Sequence, residues 1–144
     1  MKTFRLFLMA VCVAVFATGC ASGVRYSEYR TTLKPPADGQ GRIWFYRPSA
    51  GGAAVQPNVN LDDQVVGRAK PHGFFFVDTS PGLHRVQCTT EWPQKAEVMV
   101  TTNQNSYVRL DIEIGIFVGH IVPREVSEAQ ATEDMQDLHL IDTN

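Results

Sequence analysis

The chain has 144 residues, with 13 Lys and Arg against 15 Asp and Glu and a formal net charge of -2 at pH 7. For a sequence of this length we expect one compact domain. The basic residues are scattered singly along the sequence. Nucleic-acid binding depends on clustered Lys and Arg that neutralise several phosphates, so we expect no nucleic-acid partner.

The first predicted element is an N-terminal signal segment, helical in the precursor, that ends at Cys20. Lys2 and Arg5 supply a positively charged start, residues 6–18 carry no charge, and Gly19 leaves room for cleavage. A spanning helix needs about 20 apolar residues, so this stretch is short for a permanent membrane span. The pattern therefore indicates a signal peptide over residues 1–19.

The end of this segment resembles the bacterial lipobox. An apolar stretch, a small residue on either side of the cut and a cysteine directly after Gly19 carry the resemblance. It implies that cleavage falls between Gly19 and Cys20 and that the Cys20 sulfur is then acylated, which palmitate labelling would show. The acyl chains would hold the protein in a membrane. Because Ala21 follows in place of Asp, the resemblance further implies the outer membrane, with the protein facing the periplasm. An ordinary secretory peptide and an uncleaved anchor are the alternatives.

Cleavage would leave Cys88 as the only free thiol. Cys12 would depart with the signal and Cys20 would become a thioether, so no disulfide could form within the chain. Cys88 shares the inward side of an alternating strand with His84, which predicts a buried thiol. Four residues of one strand separate the two side chains by about 13 Å, too far for a catalytic pair.

Residues 20–40 are predicted to form the lipid anchor and a flexible tether. They mix Ser, Thr, Gly, Lys and two prolines with few apolar residues. Such a segment would give reach between the membrane and a folded domain over residues 41–142.

The folded domain is predicted to be an antiparallel β-sandwich. Short apolar runs rich in β-branched and aromatic residues alternate with turn signals, and their closeness in sequence leaves no room for crossover helices. Asp62 and Asp63 join two runs and suggest a hairpin, and Ile114 is expected to face inward with the alternating residues before it. About seven strands are predicted, over residues 42–47, 58–61, 64–69, 74–78, 83–90, 96–102 and 107–114.

One short helix is predicted after residue 126. The sequence from Ser127 to Gln130 has the form of a capping box, and Ala131, Met135 and Leu138 follow at helical spacing. This narrow apolar stripe favours packing against the protein's own sheet, with docking onto a partner as the alternative.

The sequence offers no recognisable catalytic or metal site. The four histidines lack zinc-ligand spacing, and no nucleophile, phosphate or dinucleotide motif is present, so no cofactor is expected. The carboxylate pairs Asp62 with Asp63 and Asp111 with Glu113 are candidates for acid/base work, but Asp111 and Glu113 lie on the outward side of a strand, where charges normally meet water. An envelope hydrolase whose site is assembled from distant residues is the alternative function.

Ile116, Phe117 and Val118 form the one predicted interaction loop. They lie between Gly115 and Gly119, whose backbones can turn sharply and present the apolar side chains to a membrane or a partner. A bent strand that carries the same side chains into the core is the other interpretation, and it is the one that the sequence favours.

Several segments together resemble the domain-of-unknown-function family 2846. They are residues 41–48, 58–67, 75–78, 81–82 and 119–127, and the resemblance extends over about 41–141. The middle portion is also similar to PEGA-type and transthyretin-like β-sandwich modules. The family implies a small bacterial envelope protein and carries no established catalytic residues. We therefore expect a membrane-anchored, noncatalytic binding or scaffolding module with an envelope protein or glycan as its partner.

Overall fold

The computed structural model describes residues 21–90, 93–114 and 119–143. Two β-sheets pack face to face, and two short helices lie outside them, α1 (Tyr26–Tyr29) and α2 (Glu128–Met135). The strands of the described residues are β1 (Gly41–Arg47), β2 (Asn58–Leu61), β3 (Gln64–Arg68), β4 (Gly73–Thr79), β5 (Gly82–Cys88), β6 (Gln94–Val100), β7 (Asn105–Glu113), β8 (His120–Val126) and β9 (His139–Leu140).

The predicted β-sandwich is confirmed, with one difference in strand pairing. The four-stranded sheet has the order β3-β2-β5-β6 and is antiparallel throughout. The five-stranded sheet has the order β8-β7-β1-β4-β9, and in it β1 pairs with β7, and β4 with β9, in parallel. Both parallel pairs join strands that are far apart in sequence, a pairing that local patterns do not encode.

The strands β8 and β9 were not predicted. β8 contains Pro123, Arg124 and Glu125, residue types that are depleted in strands, and β9 is only two residues long. Pro123 is tolerated because β8 is an edge strand, where a missing backbone donor costs little.

The main core lies between the two sheets. Alternate side chains of both sheets meet there, among them Phe45 and Phe75, whose rings stack with centroids 5.0 Å apart. Cys88 belongs to this core and is wholly buried, as predicted. Val86 and His84 point to the same side, with exposures of 0% and 7%.

A second core covers the other face of the five-stranded sheet. Trp44, Tyr46 and Phe74 project from the sheet, and α1 and α2 close over them. This double cover explains why all seven residues of β1 are buried. The predicted helix is confirmed, since Ala131 and Met135 are buried and the Ser127 hydroxyl accepts the Gln130 backbone N–H at 3.3 Å.

The prediction that residues 21–40 form a flexible tether is wrong in part. Tyr26 is 6% exposed, and its ring meets those of Trp44 and Phe74 edge-on, at centroid distances of 5.6 and 5.4 Å. Further along, the Ala37 backbone N–H donates to Asp78 at 3.1 Å. The segment is ordered because burying its aromatic side chains against the sheet is more favourable in free energy than leaving them in solvent.

The sandwich has two ends, which we name after residues that lie there. The Ala21 end contains the last residues of β1, β3, β5 and β7, and the connections 48–57 and 69–72. The Asp62 end contains the opposite strand termini and the connections 62–63, 80–81 and 101–104.

Candidate functional site

The predicted site residues lie outside the described part of the chain. These are Gly19 and Cys20 at the expected cleavage point, and Ile116, Phe117 and Val118 in the expected interaction loop. Ala21, directly after Cys20, and Ile114 and Gly119, close to the expected loop, are described. The described residues nearest to these predicted sites are Ala21 and the strands β7 and β8.

Ala21 lies directly against the sandwich. Its backbone N–H donates to the carbonyl of Pro71 at 3.1 Å. A Cβ added to Gly73 would come within 2.9 Å of the Ala21 side chain and 2.4 Å of Ile141, so glycine permits this close approach. Consecutive Cα atoms are about 3.8 Å apart, so an acyl group on Cys20 would start next to the folded domain.

The residues after Ala21 continue the edge of the five-stranded sheet. Arg25 forms an antiparallel bridge with His139, and the Tyr26 N–H donates to Leu138 at 2.8 Å. The Leu140 N–H donates back to Val24, also at 2.8 Å. These bonds occupy the outer side of β9 and hold the N-terminal segment against the sheet.

A groove lies between this segment and the sheet edge. Its volume is about 570 Å³ and it is lined mainly by apolar side chains. A smaller cleft of about 210 Å³ beside Ala21 contains Lys70 and Asp142. The lining of the larger groove includes Gly23, Val24, Tyr29, Phe76, Leu140 and Ile141.

A wholly buried arginine, Arg47, organises the Ala21 end. Its guanidinium donates to the carbonyls of Val55 and Ala69, at 2.6 and 2.8 Å, and to Gly51 and Gly52, at 2.6 and 3.0 Å. Burial lowers the pKa of Arg47 from its usual value, because desolvation disfavours the charged form. Four carbonyls around one cation fix the path of connection 48–57.

The hairpin of β7 and β8 also reaches the Ala21 end. Glu113 pairs with His120 as its last register position, and the Arg124 side chain bonds to the Glu113 carboxylate. Ile114 is 96% exposed, so the prediction that it faces inward is wrong. β7 continues beyond the last residue of β1, so Ile114 lies past the part of β7 that pairs with β1.

At the Asp62 end, an acidic turn holds a buried histidine. Asp62 and Asp63 have φ values of 48° and 69° and form the predicted hairpin turn, with both residues in the left-handed region as in a type I′ turn. The Asp62 carboxylate meets His84 Nδ1 at 2.6 Å, and His84 Nε2 meets the Ser80 carbonyl at 2.7 Å. The Ser80 carbonyl and an ionised Asp62 carboxylate can only accept, so these two contacts favour the imidazolium form of His84.

The pKa values of this pair follow from the same contacts. The Arg85 backbone N–H and then His84 lower the pKa of Asp62. Burial alone would lower the pKa of His84, but Asp62 and Ser80 outweigh it and raise that pKa above its usual value. With both ring nitrogens engaged, His84 has no lone pair for a substrate proton.

The other candidate groups are likewise tied to structural partners. Asp111 accepts from Arg109 at 3.1 Å on the outer face of the sheet. Burial raises the pKa of the Cys88 thiol to about 12, which keeps it neutral and unreactive. Among residues 21–90, 93–114 and 119–143, no three His, Cys, Asp or Glu side chains come together as a metal site.

Sequence reasoning missed two groups that shape the Ala21 end. Tyr26, Tyr29 and Leu33 recur at i, i+3 and i+7, an apolar spacing that could have marked the N-terminal segment as packed. Arg47 offered no comparable signal, because its partners are backbone carbonyls from two other connections.

A known protein family matches this chain. The family model described as "Protein of unknown function (DUF2846)" matches residues 37–121, from just before β1 to the start of β8. The match covers more than half of the chain. The chain belongs to this family, which confirms the resemblance found in the sequence.

A relative and the solved structures add less. The chain is 24% identical over 133 residues to an uncharacterized protein of Haemophilus influenzae, an alignment that covers 89% of this chain and 79% of that protein. No solved structure matches, so the likeness to PEGA-type and transthyretin-like modules stays a prediction. Within the described ranges, no helix has the length and apolar character needed to cross a bilayer.

Proposed function

We propose that this protein is a membrane-anchored lipoprotein of the bacterial envelope. In this proposal Cys20 carries the acyl chains, the chain faces the periplasm from the outer membrane, and the sandwich is a noncatalytic binding or scaffolding module. The observation that carries it is the position of Ala21, whose N–H is bonded to Pro71 at one end of the sandwich. An anchor at the preceding residue would hold the whole domain at the membrane surface.

The packed N-terminal segment changes the proposed mechanism. A flexible tether would let the domain search for partners at a distance from the bilayer. Bonds from Ala21 and Tyr26 to Pro71 and Leu138 instead join the anchor site to the fold without a spacer. In this mechanism the anchor keeps the sandwich close to the membrane, and partners bind it there.

The noncatalytic part of the proposal is supported by how the titratable groups are used. His84 is saturated by Asp62 and Ser80, and Cys88 is sealed in the core. The base candidate His84 and the nucleophile candidate Cys88 thus both have structural roles. The partner class, an envelope protein or a glycan, comes from the expected location alone.

Metabolic labelling with palmitate, followed by membrane fractionation, tests the anchor. The wild type should incorporate label and sediment with membranes, while Cys20→Ser should lose both properties. Cys12→Ser is the matched control, since it changes another cysteine near the cut and should retain the label. Absence of label in the wild type would overturn the proposal.

Affinity capture from membranes tests the binding role. A tagged wild-type chain should recover envelope components that a tagged Cys20→Ser chain does not, if localisation is the mechanism. Equal recovery by both chains would show that binding does not need the anchor, and the localisation mechanism would be wrong.

A further inference from the structure

The Ala21 end exposes apolar residues in the direction in which the anchor would lie. Ile114, at 96%, is the most exposed of the large hydrophobic side chains that the described residues contain. In connection 48–57, the small residues from Ala50 to Ala54 are exposed as well. An exposed apolar side chain at a loop end is unremarkable alone, so its position relative to the anchor decides its meaning.

The strand register places Ile114 beyond the last residue of β1. Tyr46 pairs with Arg109, and β1 ends one residue later at Arg47, opposite Gly73. β7 continues to Glu113, three residues past the level of Arg47, or about 10 Å at about 3.4 Å per residue. The hairpin of β7 and β8 therefore projects outward from the Ala21 end.

The same register places this hairpin near the start of the described chain. Ala21 contacts the beginning of β4 through Pro71 and Gly73, and β4 and β7 are the two neighbours of β1. Two strand spacings of about 4.8 Å separate them, which is about 10 Å. One flat surface can therefore meet both the anchor site and the projecting hairpin.

The chemistry of this end suits a lipid surface. Connection 48–57 contains no charged residue. Apolar side chains next to a lipid anchor can enter the boundary between headgroups and acyl chains without desolvating a charge. Lys70 lies half-buried beside Ala21, in a cleft that Asp142 also lines.

We propose that the Ala21 end docks on the bilayer, with Ile114 as a second membrane contact beside the Cys20 anchor. This inference rests on the proposed function, because the anchor selects the surface. Acyl chains by themselves fix distance and leave the domain free to rotate. The second contact fixes its orientation and turns the Asp62 end toward the periplasm.

The opposite end offers a matched comparison. Leu83 and Met99 face each other across β5 and β6 and are 58% and 57% exposed. Two residues further along the same strands, Arg85 pairs with Glu97 and places two charges on that surface. Leu83 lies at the Asp62 end, so a membrane that touches Ala21 cannot reach it.

Fluorescence of a polarity-sensitive probe tests the docking in the full acylated chain. The probe is attached to Ile114→Cys in one sample and to Leu83→Cys in another, and buried Cys88 should stay unlabelled. Each protein is placed in vesicles of phosphatidylethanolamine and phosphatidylglycerol that include a lipid carrying a quencher. We expect blue-shifted emission and loss of signal at position 114, and neither change at position 83.

The possible outcomes separate this inference from the proposed function. A palmitate-labelled, vesicle-bound protein with an unshifted probe at position 114 would overturn the docking and leave the anchor intact. Equal quenching at positions 114 and 83 would overturn the proposed orientation. A chain that takes up no palmitate would overturn both.

A second variant tests Ile114 itself. With the probe on Ala50→Cys, Ile114→Glu should reduce quenching, because a carboxylate resists entry into the lipid interface, whereas Leu83→Glu should leave it unchanged. No difference between these two variants would remove Ile114 from the contact.

Discussion

The two ends of the sandwich are stabilised by different chemistry. At the Asp62 end, a short turn and a buried histidine use side-chain ion pairing, with His84 held between Asp62 and Ser80. At the Ala21 end, Arg47 has only carbonyl partners, and the exposed surface is apolar around Ile114. The buried histidine of the first end is held by an ion pair, whereas the buried arginine of the second end is held by backbone carbonyls.

The N-terminal segment is the strongest test of this comparison, because it joins the anchor site to the fold. Tyr26→Ala removes a ring packed on Trp44 and Phe74 and should lower the free energy of unfolding by about 3 kcal/mol. Denaturant titration measures the change. Ser27→Ala, on the exposed side of the same helix, should be close to neutral. If Tyr26→Ala were also neutral, residues 21–40 would be a tether after all.

Arg47 is the next largest contributor to the Ala21 end. Arg47→Met leaves the carbonyls of Val55, Ala69 and Gly51 without their donor and should destabilise the fold by about 2–3 kcal/mol. Faster proteolysis within connection 48–57 should accompany the loss. Arg68→Met is the control at the same end, since exposed Arg68 donates only to Gln56. Equal effects of the two variants would contradict the organising role of Arg47.

The Asp62 end should show its own pH dependence. The pKa of His84 is raised in the folded protein, so protonated His84 adds to the free energy of unfolding. This contribution is complete below about pH 6.5, the ordinary pKa of histidine, and is lost as pH rises through the folded-state pKa. The lowered pKa of Asp62 means that its contribution is present above about pH 3.8 and is lost as pH falls through the folded-state value. The pair therefore stabilises most near pH 5.

Thermal unfolding at several pH values measures this effect. The melting temperature of the wild type should fall more steeply above about pH 6.5 than that of Asp62→Asn, in which the charge on the partner is absent. Parallel curves for the two proteins would show that the pair is not the source of the slope.

The smallest effect is expected at the hairpin turn. Asp63 has a φ of 69°, a conformation that costs most residues energy and glycine very little. Asp63→Gly should therefore raise the free energy of unfolding by about 0.5 kcal/mol, whereas Asp63→Ala should lower it by a similar amount. Denaturant midpoints compare the two variants. The same sign for both would contradict the assigned turn.

The strands and turns of the middle of the chain could be predicted because their signals are local. Alternation predicted β5 and β7, and the pair Asp62 and Asp63 predicted a hairpin that the structure confirms. β8 was not predicted, because Pro123 and its charged neighbours are residue types that are not typical of a strand. The acidic turn was located from sequence, but its contact with His84 depends on β5 folding beside it.

The sequence alone determined the two-sheet class, the burial of Cys88 and the C-terminal helix, because period and capping are properties of neighbouring residues. It also supplies the lipobox-like segment, on which the anchor proposal depends. Only the tertiary structure decided that β1 and β7 run parallel, that Tyr26 packs on the sheet, and that Ala21 and Ile114 lie at one end. Those facts depend on contacts between residues far apart in the chain, which arise when the apolar faces of distant segments are buried together.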